Sequence, residues 1–278
     1  MKAGFLSLIE ATLDEVLPRP DARPAVLHEA MRYAVGTGGK RIRPLVCLGA
    51  AVAAGGRYED ARYPAAAIEI LHNYTLIHDD LPAMDDDVER RGQPTVWKKF
   101  GEANAILAGD ALLALAYRVA ARAPRNVAAI VDVLGEKGVG VVQGQVEDIA
   151  LQGLAAAAQT THTAQTPEHP NTQTPSQTIP FVYEHKTADL FVAAAAMGGL
   201  SAGADAKAVD ALKTFALNLG LAFQYEDDLL DGDSPYPRED TERLVRETTA
   251  AATAALESLP GDASFLRALA ETLVGRRV

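Results

Sequence analysis

The sequence is poor in cysteine, with Cys47 alone among 278 residues. A single thiol forms no intrachain disulfide and fits a reducing compartment such as the cytoplasm. Its setting, Pro44-Leu-Val-Cys-Leu-Gly-Ala50, reads as core filling. Positive charge is scarce too: 26 Lys and Arg stand against 37 Asp and Glu, a net charge of −11. That balance argues against a nucleic-acid surface and makes any local cluster of Lys and Arg stand out as an anion site. The longest uncharged apolar runs, near 44–56 and 190–204, fall short of the roughly 20 residues of a bilayer span, so no membrane span is expected. At the N-terminus, Glu10 and Asp14 sit where a signal peptide needs an apolar stretch. No Ser/Gly linker divides the chain, so residues 1–278 are expected to form one domain. Nor does any Ser-His-Asp or Cys-His arrangement suggest a side-chain nucleophile.

Helical patterning fills the chain. Ala103–Ala121, Asn126–Leu134, Lys186–Ala202 and Ala206–Asp231 carry apolar residues at three- and four-residue spacing. The only short β-branched runs, Val127–Val133 and Val139–Val142, lie inside helix-length segments. An all-α, single-domain bundle with short connections follows. One stretch breaks the pattern. Residues 155–179 are rich in Thr, Gln and Pro and nearly free of large apolar side chains, which predicts a mobile low-complexity insertion.

Two acidic clusters dominate the chemistry: Asp79-Asp80 with Asp85-Asp86-Asp87, and Asp227-Asp228 with Asp231. On a helix, Asp227 and Asp231 share one face, one turn apart. Pro82 should end the first helix, so Asp85 reaches the site through a turn. Carboxylates aimed at one point repel unless a cation sits between them, and oxygen-only ligands suit Mg²⁺, with Mn²⁺ a possible substitute. One such cluster is equally a solvated acidic face or a helix cap. Two, each following an apolar helical run, favour a metal site.

Mg²⁺ commonly bridges carboxylates to phosphate oxygens, so nearby cations matter. Gly38-Gly39-Lys40-Arg41-Ile42-Arg43-Pro44 pairs a glycine turn with Lys40 and Arg43, which are three apart and able to face together. Arg90-Arg91 follows the first cluster, His72 lies two turns before Asp79, and His185-Lys186-Thr187 opens a later helix. Arginine forks match phosphate oxygens. Taken singly, each cation is as readily a surface ion pair.

As an ordered set, GGKRIRP, LHNYTLIHDDLPAMDDDVERRGQPT, GEANAILAGDALL, HKT and FQYEDDLLD resemble the trans-polyprenyl diphosphate synthase family, most of all its bacterial farnesyl/geranylgeranyl type. The resemblance covers about 28–150 and 181–231. It implies the isoprenoid-synthase bundle with a central active-site cavity, and a homodimer. It implies that Lys40, Arg43, His72 and Arg91 bind isopentenyl diphosphate, with weaker support for Arg276. Arg90, Lys186, Thr187, Phe223 and Gln224 would bind the allylic diphosphate. Asp79, Asp80, Asp85, Asp227, Asp228 and Asp231 would hold three Mg²⁺ ions. The implied chemistry is ionisation of the allylic C–O bond, attack by the C5 alkene and loss of a proton. Tyr74 and Thr75, five and four residues before Asp79, would set product length; an aromatic at 74 implies C15, with C20 the second choice.

The family pattern breaks after Asp231. Lysines expected to reach the allylic diphosphate are missing, since no lysine follows Lys213, and Arg238 is the nearest substitute. Three further readings therefore stand: a weakly active or non-catalytic partner subunit, a terpene cyclase, and a non-enzymatic metal-binding bundle. The set Lys40, Arg43, His72 and Arg91 speaks against a cyclase, which has no use for an isopentenyl site.

Overall fold

The computed structural model describes residues 1–159 and 175–275. Among them the chain forms twelve α-helices and one two-stranded hairpin. These are α1 (Lys2–Val16), α2 (Ala25–Gly36), α3 (Ile42–Ala53), α4 (Arg62–Asp79), β1 (Glu89–Arg90), β2 (Gln93–Pro94), α5 (Val96–Phe100) and α6 (Glu102–Ala120). Then follow α7 (Val127–Gln159), α8 (Pro175–Val182), α9 (Asp189–Ala202), α10 (Ala206–Asp231), α11 (Arg238–Ala255) and α12 (Ser264–Val274). A π-helical turn, Tyr183–Ala188, joins α8 to α9.

Local chemistry accounts for the ends of these elements. The Asp205 carboxylate caps α10 by accepting from Ala208 N at 2.8 Å, and Gly232 ends the helix in the left-handed conformation. Helix α4 stops at Asp79, ahead of Pro82 as expected. Helix α9 is buried on nearly every side and packs on α3, α10, α7 and α4. Its alanines and glycines let these neighbours approach closely, while Phe191, Phe215, Ile68, Ile70, Leu71 and Leu112 fill the larger spaces. Each such side chain contributes about 1.5–3 kcal/mol on burial.

One expectation needs correction. The stretch 155–179 is not a loop throughout: α7 continues to Gln159 and α8 begins at Pro175, while 160–174 lies outside the described residues. Among the described helices, α6 alone is long and apolar enough to cross a bilayer by length and composition, and Glu102 and Asp110 interrupt its apolar run. Here Ala105, Ala108, Gly109, Leu112 and Ala116 of α6 are buried, and the helix packs against α4 and α2.

Candidate active site

Helix α4 supplies the first carboxylates from its C-terminal end, where Asp79 is the last helical residue and Asp80 the cap. Beyond Pro82 the backbone turns back, so Asp85 N donates to Asp79 O at 2.9 Å. This is the turn that proline spacing implied. Asp80 is buried and bound by Arg90, whose Nε donates to its Oδ1 at 2.6 Å and whose Nη2 lies 2.5 Å away. Arg90 Nη2 also donates to Asp87 Oδ2 at 3.1 Å. The Asp87 carbonyl accepts from both Thr95 Oγ1 and Trp97 Nε1, at 2.8 Å each, and so fixes the hairpin.

Burial leaves these carboxylates short of compensation. Asp79 is pushed up from 3.8 to about 6, by desolvation first and then by Asp85 and Asp80, against the pull of Lys186 and Arg90. Asp80 and Asp85 rise for the same leading reason. Lys186 is the cation opposite them: its Nζ lies 2.5 Å from Asp148 Oδ2, and it acts on both Asp79 and Asp85. Asp148 escaped the sequence reading. Its signal was Gly144-Gln145-Val-Glu-Asp148, a polar face within an otherwise apolar stretch of α7.

His185-Lys186-Thr187 does not open a helix, as expected, but lies inside the π-helical turn Tyr183–Ala188. Such turns collect at functional sites. The turn seats on α7 because Gly144 has no side chain: a Cβ there would lie 2.4 Å from Lys186 N. It also reaches the second cluster. Thr187 Oγ1 donates to Gln224 Oε1 at 2.7 Å, and Gln224 Nε2 donates to Asp228 Oδ1 at 2.8 Å. The Tyr183 hydroxyl donates to Asp228 Oδ2. Burial raises Asp228 despite these two bonds, with Asp233 and Asp231 adding to the rise. Asp227 is half-buried and Asp231 exposed on the same helix.

A second cationic group gathers where α3, α4 and the hairpin turn meet. Arg43 Nη1 stands 3.2 Å from His72 Nε2, and its guanidinium lies over the Phe191 ring at 5.1 Å. Phe223 packs on the same ring, with centroids 5.7 Å apart. Arg91, left-handed at φ 55, donates through Nη1 to the Gly38 carbonyl. Burial and then Arg91 lower Arg43 to about 10, even though Glu69 opposes them. His72 is held well below 6.5 by burial and then by Arg43, Arg91, Arg90 and Arg41. Mutually unfavourable cations in a half-buried group call for an anion.

Lys40 does not face Arg43: it is exposed in the loop before α3, because Arg41 takes the left-handed conformation at φ 49 and breaks the helical spacing. Arg41 instead turns inward, pairing with Glu69 Oε1 at 2.8 Å and Glu10 Oε1 at 2.8 Å, and it was not singled out in the sequence. Arg238 is exposed on the first turn of α11 and pairs with Glu242 at 2.9 Å. Arg276 lies outside the described residues.

The donor set fits Mg²⁺ without caging it. Among the described residues, no three His, Cys, Asp or Glu side chains converge as a ready-made site. What is present are Asp79 and Asp85, with raised proton affinity and within the field of Lys186, which suits an ion completed by water and phosphate oxygens.

The polyprenyl synthetase family model matches residues 24–239. The chain is 41% identical over 231 residues to the geranylgeranyl diphosphate synthase of Cyanophora paradoxa, a match covering 81% of this chain and 71% of that one. It is 40% identical to the chloroplastic geranylgeranyl pyrophosphate synthase of Catharanthus roseus, covering 81% of this chain but only 59% of the relative. The fold superposes on an apo FPP/GFPP synthase from Zymomonas mobilis with a TM-score of 0.83 at 32% identity, covering 98% of both chains. Motifs, fold and relatives agree, and the chain belongs to the polyprenyl synthetase family of trans-prenyltransferases.

Proposed function

We propose that this protein condenses isopentenyl diphosphate with an allylic diphosphate to give a short-chain trans-prenyl diphosphate. One observation carries the reading. A single turn, Tyr183–Ala188, touches Asp148 through Lys186 and Asp228 through Thr187 and Gln224, while a second cation group (Arg43, His72 and Arg91) gathers from α3, α4 and the hairpin turn. Two anion sites, one of them lined by carboxylates, match two diphosphate substrates.

In this reading Lys186, Arg90, Thr187 and Gln224 orient the allylic diphosphate, with Phe223 beside them. Asp79, Asp80, Asp85, Asp227, Asp228 and Asp231 hold the Mg²⁺ ions, three by family analogy. When bound, those ions supply electrostatic stabilisation to the departing diphosphate. Arg90 must leave Asp80 to reach that diphosphate, an exchange of one partner for another. Arg43, His72, Arg91 and the exposed Lys40 receive isopentenyl diphosphate. His72 is kept neutral by burial and then by its cationic neighbours, so it donates through one ring nitrogen rather than as a cation.

Product length is set below the aspartates. The Tyr74 ring packs edge-on against His78 with centroids 4.9 Å apart, and burial raises its phenol. Thr75 spends its hydroxyl on the His72 carbonyl at 2.8 Å. Tyr74 as the floor supports farnesyl diphosphate; the names of the curated relatives support geranylgeranyl diphosphate as the second reading. We place the protein in the cytoplasm, a reading supported by the buried thiol of Cys47. A homodimer is supported by the exposed apolar stripe Val139, Val142, Val146 and Ile149 on α7, beside Ile106 and Leu107 of α6.

The test is to incubate pure protein with Mg²⁺, labelled isopentenyl diphosphate and C5, C10 or C15 allylic partners. Elongation to C15 is expected, and Tyr74→Ala should lengthen the product. Cyclic hydrocarbon from one substrate would indicate a cyclase, and silence relieved by a second subunit a regulatory role. C20 from the parent, unmoved by Tyr74→Ala, would remove the floor.

A further inference from the structure

The segment after the second aspartate cluster lacks the lysines that the family resemblance implies, and the structure shows what occupies it. Gly232–Pro237 carries no lysine. Instead it folds back so that the Tyr236 ring meets Tyr225, with centroids 6.4 Å apart, and Tyr225 meets Tyr183 at 5.5 Å. The rings cross at 65° and 66°, the edge-on geometry that aromatic pairs favour. Ser234 Oγ and the buried Thr241 Oγ1, 2.7 Å apart, pin the segment to α11. The innermost ring, Tyr183, ends in a hydroxyl that donates to Asp228 Oδ2. Gln224 holds the other oxygen of that carboxylate, and Thr187 holds Gln224.

Asp228 is thus gripped at both oxygens, by a phenol from the π-helical turn and by an amide from its own helix one turn earlier. A carboxylate oxygen that accepts one hydrogen bond keeps a second lone pair for a cation. Outer partners of this kind orient a ligand, and losing one typically costs ten- to a hundredfold in metal affinity. The grip also spans the two elements that carry the family's substrate motifs.

Resting on the reading of the site given above, we propose that Tyr183 is a positioning residue of the second aspartate cluster. Its hydroxyl fixes the Asp228 carboxylate and so sets the cation affinity of that cluster. The tyrosine stack holds Tyr183 in place from the segment where lysines are absent.

Tyr183→Phe keeps the ring and the stack and removes only the donor. Titrating Mg²⁺ into protein with inorganic pyrophosphate, by calorimetry, should show affinity weakened about tenfold. In turnover, KM for the allylic substrate should rise while KM for isopentenyl diphosphate stays unchanged, with little change in melting temperature. In an Asp228→Asn background the same substitution should add nothing, because the coupling runs through that carboxylate. Equal Mg²⁺ affinity in parent and Tyr183→Phe, or an equal loss in the Asp228→Asn background, overturns the role of Tyr183 while leaving the synthase reading intact. A parent that takes up no Mg²⁺ with pyrophosphate overturns both.

Discussion

Replacing Gly144 with alanine tests how the π-helical turn is held. In an exposed helix interior the change would stabilise by about 1 kcal/mol, since glycine costs more backbone entropy than alanine. At 144 the new methyl would stand 2.4 Å from Lys186 N and 3.0 Å from both His185 C and Lys186 Cα. All three are backbone atoms with no rotamer to escape into. Ordinary contact begins near 3.4 Å, so α7 and the turn must part by about 1 Å. Overpacking of this kind costs roughly 1–3 kcal/mol, and the rigid partner places it at the upper end. The net loss is then about 2 kcal/mol, or ~4–8 °C in melting temperature for a domain of this size. Function should suffer more than stability. A displacement of about 1 Å at a positioning group costs on the order of a hundredfold in turnover, and Lys186 and Thr187 both ride on the displaced turn. Gly153 provides the control: it lies on the same helix, and a methyl added there would meet nothing within 4 Å, so Gly153→Ala should stabilise. The assays are thermal melting and kcat/KM for the allylic substrate. A Gly144→Ala protein that melts at or above the parent and keeps its kcat/KM would refute the close seating of the turn on α7.

Glu69→Ala should cost about 3–5 kcal/mol, because it strands the Arg41 guanidinium with only the half-exposed Glu10 as a charged partner; a loss of unfolding free energy in urea below about 1 kcal/mol would show the pair to be dispensable. Asp79 gives a pH dependence. Its folded value of about 6 exceeds the ordinary 3.8, so between those values the folded protein holds a proton that the unfolded chain has released. Stability of the metal-free protein should therefore fall as pH rises from about 4 to about 6 and level off above, and Asp79→Asn should flatten that slope. Mg²⁺ must displace the same proton, so its affinity with pyrophosphate should drop ~tenfold per pH unit below that value; a flat profile would show the carboxyl to be ionised throughout.

Regular helices with clear punctuation were legible in the sequence. Ala206–Asp231 was read with its bounds as found, because the periodicity is unbroken and Asp205 and Gly232 mark its ends. The turn to Asp85 was legible because Pro82 permits little else. Illegible were the places where the backbone leaves the α conformation. At Arg41 one left-handed residue reverses which side chain of Lys40-Arg41-Ile42-Arg43 turns inward, so three-residue spacing mispaired Lys40 with Arg43. At 183–188 a π-helical turn shifts every side chain relative to a helical count, so the facing of His185, Lys186 and Thr187 was not legible. Partners distant along the chain, such as Lys186 with Asp148 or Arg41 with Glu10, leave no periodic trace at all.

The hairpin that ends in Arg90 and Arg91 carries one further implication. Arg90 is clasped by Asp80 and Asp87, and Arg91, its immediate neighbour, reaches the other way to the Gly38 carbonyl. Arg90 and Arg91, one peptide bond apart, thus tie the carboxylate end of α4 and the glycine turn before α3 to one short hairpin.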